Sequence, residues 1–424
     1  MTIAVLFGSF ALLLLISVPV GIALGISTLI TILYSGSVPI EFLMQGLVTS
    51  VDNFPIMAVP FFILAGEIMG KGGISERLFK VANSMVGNIT GGFAIATIVT
   101  CMFFAAISGS APATVAAIGG IMIPAMVKQG YDRTFSAAIV AAAGSLGVII
   151  PPSIPMVIYG TSAATSIGDL FIAGIIPGLL IGVALSIYAF YYAKKKGYKG
   201  NGEKFSIKRI LKSLWEAKWA LAVPVIILGG IYGGFFTPTE AAAIAVVVGL
   251  IAGLFIYKEL KWKDLPQTFI DSALTTATVL IIVGTATAFG RLLTVEQIPN
   301  QIAEWMLAVS DNPIIVMLLI LILLLFVGCF MDTLAAIIIL TPILLPIVTG
   351  LGFDPIHFGI IMVVGLAVGF ITPPVGVNLF VAQGISGVSF ESLVKKVIPF
   401  IVVLTIMLVI ISYVPQLSLL LIGK

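Results

Sequence analysis

The chain is a succession of apolar runs separated by short polar gaps. Many runs reach the roughly 20 residues that an α-helix needs to cross a bilayer. They predict helices over about 3–17 and 20–36, joined by a turn at Pro19, and another over 54–70. The run 93–127 carries a polar break, SGSAPAT, at its middle. A run at 133–163 is broken at IIPPS, and one at 170–193 follows. After a polar segment the second half gives 219–236, 238–257 and 272–290. Then come 313–349 with a break at MDT, 355–386 broken at TPP, and 397–421. Segments 38–53, 71–90, 258–270 and 294–310 mix polar and apolar positions and predict amphipathic helices at the interface, where Trp262 and Trp305 are at home.

The breaks recur at a fixed separation of 222 residues. ISGSAPAT (107–114), IPAMVKQGYD (123–132) and GVIIPPS (147–153) correspond to CFMDTLAA (329–336), LPIVTGLGFD (345–354) and GFITPPV (369–375). Pro124 pairs with Pro346, Asp132 with Asp354, Gly147 with Gly369, and Pro151-Pro152 with Pro373-Pro374. Two copies of a broken-helix unit inside a membrane protein point to a secondary transporter.

Composition fixes the membrane class. Apolar residues make up 60% of the chain, charged residues 9%, and the mean hydropathy is +1.23. A soluble domain carries about 25% charged residues. The net charge of +3 is too small to argue for nucleic acid. Cys101 and Cys329 lie in apolar runs and suit buried free thiols. The first run lacks the positive flank of a signal peptide, since Lys71 is the first basic residue; it is expected to be a retained membrane helix.

Charge placement then gives a topology. Lys71, Arg77 and Lys80 fill one gap, and Lys128 and Arg133 a second. A third, 194–218, holds Lys194, Lys195, Lys196, Lys199, Lys204, Lys208, Arg209, Lys212 and Lys218. Lys258, Lys261 and Lys263 fill the fourth, and Lys395 and Lys396 the fifth. Only Arg291 and Lys424 remain, and the other gaps carry acids such as Glu41, Asp169, Glu296 and Asp311. The positive-inside rule places the five basic gaps in the cytoplasm. Both ends of 93–127 are then cytoplasmic, so this run predicts a re-entrant hairpin turning at SGSAPAT. The run 313–349 has acidic flanks and predicts a hairpin entering from outside. The repeat is therefore read as inverted: 1–193, a basic linker 194–218, and 219–424. The count is about eleven crossings and two hairpins in an all-α polytopic protein, with the N-terminus outside.

The breaks are where chemistry can occur. Irregular backbone at membrane depth is tolerated only inside protein or along a watery cavity. A proline pair removes amide donors and frees carbonyls, which suit a hard cation such as Na⁺. Tip one offers Ser108, Ser110 and Thr114, with Gly109 for a tight turn; tip two offers Asp332 and Thr333. Helix N-termini at the tips favour an anion. A single proline break is usually only a kink, but two matching pairs of breaks favour a binding site. Asp332 is the sharpest residue, because an ionisable group deep in a membrane segment is functional by default. Asn378 is a candidate for the substrate. Glu67 is expected at the cytoplasmic edge, His357 in an external turn without a role, and Glu240 as a helix cap. Gly21/Gly25 and Gly178/Gly182 fit close helix packing. No P-loop, Rossmann fingerprint or metal-ligand cluster is visible, so neither an ATP-driven pump nor an enzyme is expected.

At these motifs the chain resembles the large membrane subunit of TRAP transporters (tripartite ATP-independent periplasmic transporters, DctM type). The stretches that carry the resemblance include SGSAPATVAAIGGIMIPAM, GSLGVIIPPSIPMVIYG, FTPTEAAA, MDTLAAIIILTPILLP and ITPPVGVNLFVAQGI. It implies an elevator-type transporter in the bacterial inner membrane, coupled to Na⁺. It implies an organic acid substrate: a C4-dicarboxylate, sialic acid or a related sugar or keto acid. A separate small four-helix membrane subunit and an extracytoplasmic solute-binding protein would be its partners. Carried over by motif, Na⁺ ligands would come from Ser108, Gly109, Ser110, Gly147, Ile150 and Pro151, and from Asp332, Thr333, Gly369, Thr372 and Pro373. Substrate would meet Ser108, Gly109, Ser110, Ser153 and Asn378. The alternative is a self-sufficient Na⁺/dicarboxylate symporter with the same repeat.

Overall fold

The computed structural model is helical, with no strand among the described residues, which are 1–200, 202, 205–309 and 312–423; side chains at 303 and 305–309 are also left out. Lys204, Asp311, Lys424 and the Trp305 side chain therefore lie outside the described residues. Seven helical stretches among them have at least 18 residues and the composition to cross a membrane: Phe54–Lys71, Ala111–Lys128, Ile167–Lys196, Pro238–Ile256, Trp262–Val295, Thr333–Gly350 and Phe390–Tyr413. The pair Ile207–Glu216 and Lys218–Tyr232, bent by 69°, adds an eighth if taken as one span. The chain is an all-α polytopic membrane protein.

Both polar breaks become helix–turn–helix hairpins. Gly92–Ser108 and Ala111–Lys128 form the first, and Pro313–Gly328 and Thr333–Gly350 the second. Each Pro-Pro break splits a helix: Arg133–Gly144 resumes at Ile154–Ser162, and Pro355–Gly369 resumes at Val377–Ser386. Both Pro-Pro bonds are cis. The matched acids also do the same local job. Asp132 Oδ1 accepts from Phe135 N at 2.8 Å, and Asp354 Oδ1 from Ile356 N at 2.7 Å, each capping the helix that leads to a break.

The two copies interlock. The resumed helix Ile154–Ser162 packs on Thr333–Gly350, and its counterpart Val377–Ser386 packs on Ala111–Lys128. Each resumed helix is thus held against a hairpin arm of the other copy. Around this centre, Val20–Ser35, Glu41–Val51, Phe54–Lys71 and Pro238–Leu250 pack with the 31-residue helix Leu265–Val295 or with one another.

The five basic gaps gather on one face. Arg77 pairs with Glu259 Oε1 at 2.6 Å and sits over the Tyr257 ring, joining the first gap to the fourth. Ser84 bonds Ser213 at 2.8 Å, joining the first gap to the third. Tyr198 Oη accepts from Asp132 N at 3.1 Å, joining the third to the second. Lys396 of the fifth gap donates to Tyr192 Oη at 2.9 Å, just before the third.

Several expected boundaries move. No separate interfacial helix covers 258–270; a turn at Trp262–Asp264 leads straight into Leu265–Val295. Pro266 sits in that helix's first turn, where proline suits a start, and no later proline interrupts it before Val295. The linker contains the helix Ile207–Glu216, because Ile207, Ile210, Leu211 and Leu214 recur at helical spacing behind the capping Ser206. Lys194, Lys195 and Lys196 belong to the last turn of Ile167–Lys196, where cations suit the helix dipole. The last long helix ends at Tyr413 rather than running to 421, since Pro415 follows. His357 is not in a turn: it is buried in the first turn of Pro355–Gly369, with Nε2 at 3.2 Å from the Ser412 carbonyl.

Candidate functional site

The first hairpin turns on Gly109, whose φ of +61° suits glycine. Its carbonyl accepts from Ile154 N at 3.2 Å, tying the tip to the restart of the broken helix. Ser108 Oγ lies 2.9 Å from Thr114 Oγ1, and Thr114 Oγ1 donates to the Ser110 carbonyl at 2.8 Å. Gly147 lies directly against this knot; a Cβ there would overlap the Ser110 carbonyl. Ser153 Oγ donates to the Val148 carbonyl at 2.5 Å and caps Met156 N.

The second site repeats the plan with different atoms. The Cys329 carbonyl accepts from Val375 N at 3.3 Å, again tying tip to break. Gly369 lies against Gly328, and a Cβ on Gly369 would overlap the Gly328 backbone. Asp332 Oδ1 caps the second arm by accepting from Leu334 N at 2.8 Å. Thr372 Oγ1 donates to the Val368 carbonyl at 2.7 Å. The matched glycines Gly147 and Gly369 therefore share one role: each lets a broken helix touch its hairpin backbone.

Both tips open onto one cavity of about 380 Å³. Gly109 and Ser110 come from tip one, Asp332 and Thr333 from tip two, Ile154 and Phe370 from the breaks. Glu67 and Thr275 close it from the surrounding helices. Ser110 Oγ makes no hydrogen bond among the described residues. The arms Ala111–Lys128 and Thr333–Gly350 both begin at this cavity, so two helix N-termini meet there, the second already capped by Asp332. Glu67, half-buried, lies 3.8 Å from Lys71, which also pairs with Asp271 at 2.7 Å.

Some predicted residues are not brought to the cavity. Ser108 and Ser153 are buried behind it. Asn378 is also fully buried, and its Nδ2 donates to the Ala141 carbonyl at 3.0 Å and the Ser145 hydroxyl at 3.3 Å. It fastens one broken helix to the other and lies outside the cavity lining. Gly147, Ile150, Pro151, Gly369, Thr372 and Pro373 likewise do not line the cavity. Thr275 was missed; its only signal was a hydroxyl in an apolar run. Among the described residues no three His, Cys, Asp or Glu side chains cluster, so a cation here would be held by carbonyls and hydroxyls with the Asp332 carboxylate at tip two. A larger cavity of about 560 Å³, beside Phe7, Phe10, Phe289 and Leu344, is lined only by apolar side chains and methionine and offers no chemistry.

Hairpins, broken helices and a shared cavity with a few polar groups between the tips define a membrane transporter. Two solved transporters share this fold: YdaH of Alcanivorax borkumensis (TM-score 0.60, 16% identity, covering 89% of this chain and 88% of that one) and MtrF of Neisseria gonorrhoeae, from a class of antimetabolite efflux pumps (0.58, 14%, 88% and 84%). Residues 7–417 match the family model of the tripartite ATP-independent periplasmic transporter, DctM component, and the chain belongs to that family. It is 56% identical over 411 residues to the isethionate TRAP transporter permease protein DctMQ of Oleidesulfovibrio alaskensis, covering 97% of this chain and 65% of that protein. It is 44% identical to the C4-dicarboxylate TRAP transporter large permease protein DctM of Pseudomonas aeruginosa, covering 94% and 93%. It is 40% identical to the sialic acid TRAP transporter large permease protein SiaM of Vibrio cholerae, covering 96% of each.

Proposed function

We propose that this chain is the membrane subunit through which a TRAP system takes up a small organic anion together with Na⁺. The observation that carries this reading is the cavity shared by Ser110 and Asp332, where two helix N-termini meet. Amides and dipoles at helix N-termini favour an anion. The charged groups in the lining, Glu67 and Asp332, are acids. An anion entering beside carboxylates in a low-dielectric cavity needs compensating cations. That is a physical reason for coupling, and carbonyls freed at the two Pro-Pro breaks are suitable Na⁺ ligands. Site one would use Ser108, Gly109, Ser110, Gly147, Ile150 and Pro151; site two Asp332, Thr333, Gly369, Thr372 and Pro373. The relatives are named for isethionate, C4-dicarboxylate and sialic acid transport. All of these bear a carboxylate or sulfonate, and that group is the substrate chemistry we assign.

The remaining reading follows from charge. The face that gathers the five basic gaps is cytoplasmic in a bacterial inner membrane, and the N-terminus is outside. Residues 1–193 and 219–424 are inverted copies joined by 194–218. The interlocked hairpins and broken helices move as one body against the surrounding helices, an elevator. The partners are a small membrane subunit on a separate chain and an extracytoplasmic solute-binding protein.

Reconstitution tests this. Vesicles holding the chain with both partners should accumulate a labelled organic acid only with an inward Na⁺ gradient. Equal uptake without the partners would favour the self-sufficient symporter, and uptake indifferent to Na⁺ would end the coupling argument.

A further inference from the structure

A second cavity, of about 200 Å³, lies beside Arg291 and is lined also by Ser50, Asn53, Thr161, Ser162 and Thr287. Three helices run from the central cavity to this one. Leu265–Val295 gives Thr275 and Val279 to the first and Thr287 and Arg291 to the second. Ile154–Ser162 gives Ile154 to the first and Ser162 to the second, and Thr333–Gly350 gives Leu334 and then Ile338. From Val279 to Arg291 the helix climbs about 18 Å. The small cavity therefore lies along the same helices, at the end away from Lys71 and Asp271.

Its chemistry is one-sided. Arg291 is the charged group in the lining, and no carboxylate accompanies it. Among the described residues the side chains of Arg291, Asn53 and Ser162 make no hydrogen bond or ion pair. A guanidinium, an amide and a hydroxyl thus remain free to donate. Thr161 and Thr287 donate instead to their own helices, at 2.9 and 2.8 Å. The planar fork of a guanidinium matches two oxygens of a carboxylate or sulfonate. A lone positive charge in a cleft between helices also concentrates anions locally.

We propose that Arg291, Asn53 and Ser162 form a reception site for the acid group of the incoming substrate, on the face opposite the basic gaps. This rests on the reading of the chain as an organic-anion transporter with that face outside. The site holds the anion before it reaches the space between the hairpin tips.

Cysteine labelling tests the proposal without requiring transport. Thr161→Cys, and Ile158→Cys as a second reporter, are placed in the full complex in zwitterionic vesicles. An impermeant, uncharged methanethiosulfonate is added outside, with unsubstituted protein as the control for Cys101 and Cys329. Isethionate or succinate should slow labelling about tenfold at ten times its dissociation constant, while ethylene glycol does nothing. Arg291→Gln should abolish that protection with the basal labelling rate kept, and Arg291→Lys should retain part of it. No labelling from outside, no protection, or protection that survives Arg291→Gln would each overturn the site. So would protection that appears only with phosphatidylglycerol in the vesicles and no added anion, since a lipid phosphate would then be the occupant. Absent uptake with Arg291-dependent protection intact would instead count against the transport reading.

Discussion

Gly369→Ala is the most direct probe of how the second candidate site is built. Gly369 ends the helix Pro355–Gly369, and its missing side chain lets that helix lie on the backbone of Gly328. A methyl group there would overlap the Gly328 Cα, carbonyl carbon and oxygen. These are backbone atoms and cannot rotate aside. Overpacking of this kind costs about 1–3 kcal/mol. A loss of about 2 kcal/mol in seating the second hairpin lowers the fraction of competent transporter, and so the apparent Na⁺ affinity, by up to about 30-fold. Initial uptake rates against Na⁺ concentration, beside thermal unfolding of the purified protein, measure both effects. Gly384→Ala is the control: its Cβ would meet nothing within 4 Å inside Val377–Ser386. Replacing a free helical glycine gains up to about 1 kcal/mol, so the control should be neutral or more stable. Gly369→Ala that matches Gly384→Ala in both stability and Na⁺ activation would refute the claim that backbone contact forms this site.

Asp332→Ala and Ser110→Ala should each weaken Na⁺ activation of uptake while the protein stays folded, Asp332→Ala losing about 0.5–2 kcal/mol with its helix cap, and two unaltered Na⁺ curves would end the two-site reading. Asn378→Leu removes the donor to the buried Ala141 carbonyl and should cost about 1–3 kcal/mol of stability, read by thermal unfolding; no loss would mean that this cross-link between the copies carries little. Lys71→Ala breaks a pair whose partners are 38% and 36% exposed, so stability should fall by less than about 1 kcal/mol; a larger loss would show that the pair with Asp271 is screened from water more than its exposure suggests.

Much of the architecture is legible in the sequence because the membrane leaves few options. Unpaired backbone is expensive there, so SGSAPAT and MDT inside apolar runs had to be tips, and the Pro-Pro pairs had to be breaks. The 222-residue separation survives in atoms: Asp132 and Asp354 cap equivalent helices, and Gly147 and Gly369 make equivalent backbone contacts. What stayed hidden is how the two copies are fastened to each other. Asn378 looked like a substrate ligand because it follows a break by one helical turn. Its partners are Ala141 and Ser145, 237 and 233 residues away, and no local pattern encodes such a pairing. The same holds for the helix Leu265–Val295, where amphipathic spacing suggested an interfacial segment and a span. With no proline after Pro266 to interrupt it, one helix runs through both, and so places Thr275 on the central cavity and Arg291 on the outer one. Local periodicity reports which face of a helix is apolar. It says nothing of how far a helix continues, and in this fold continuation along one helix is what connects the two cavities.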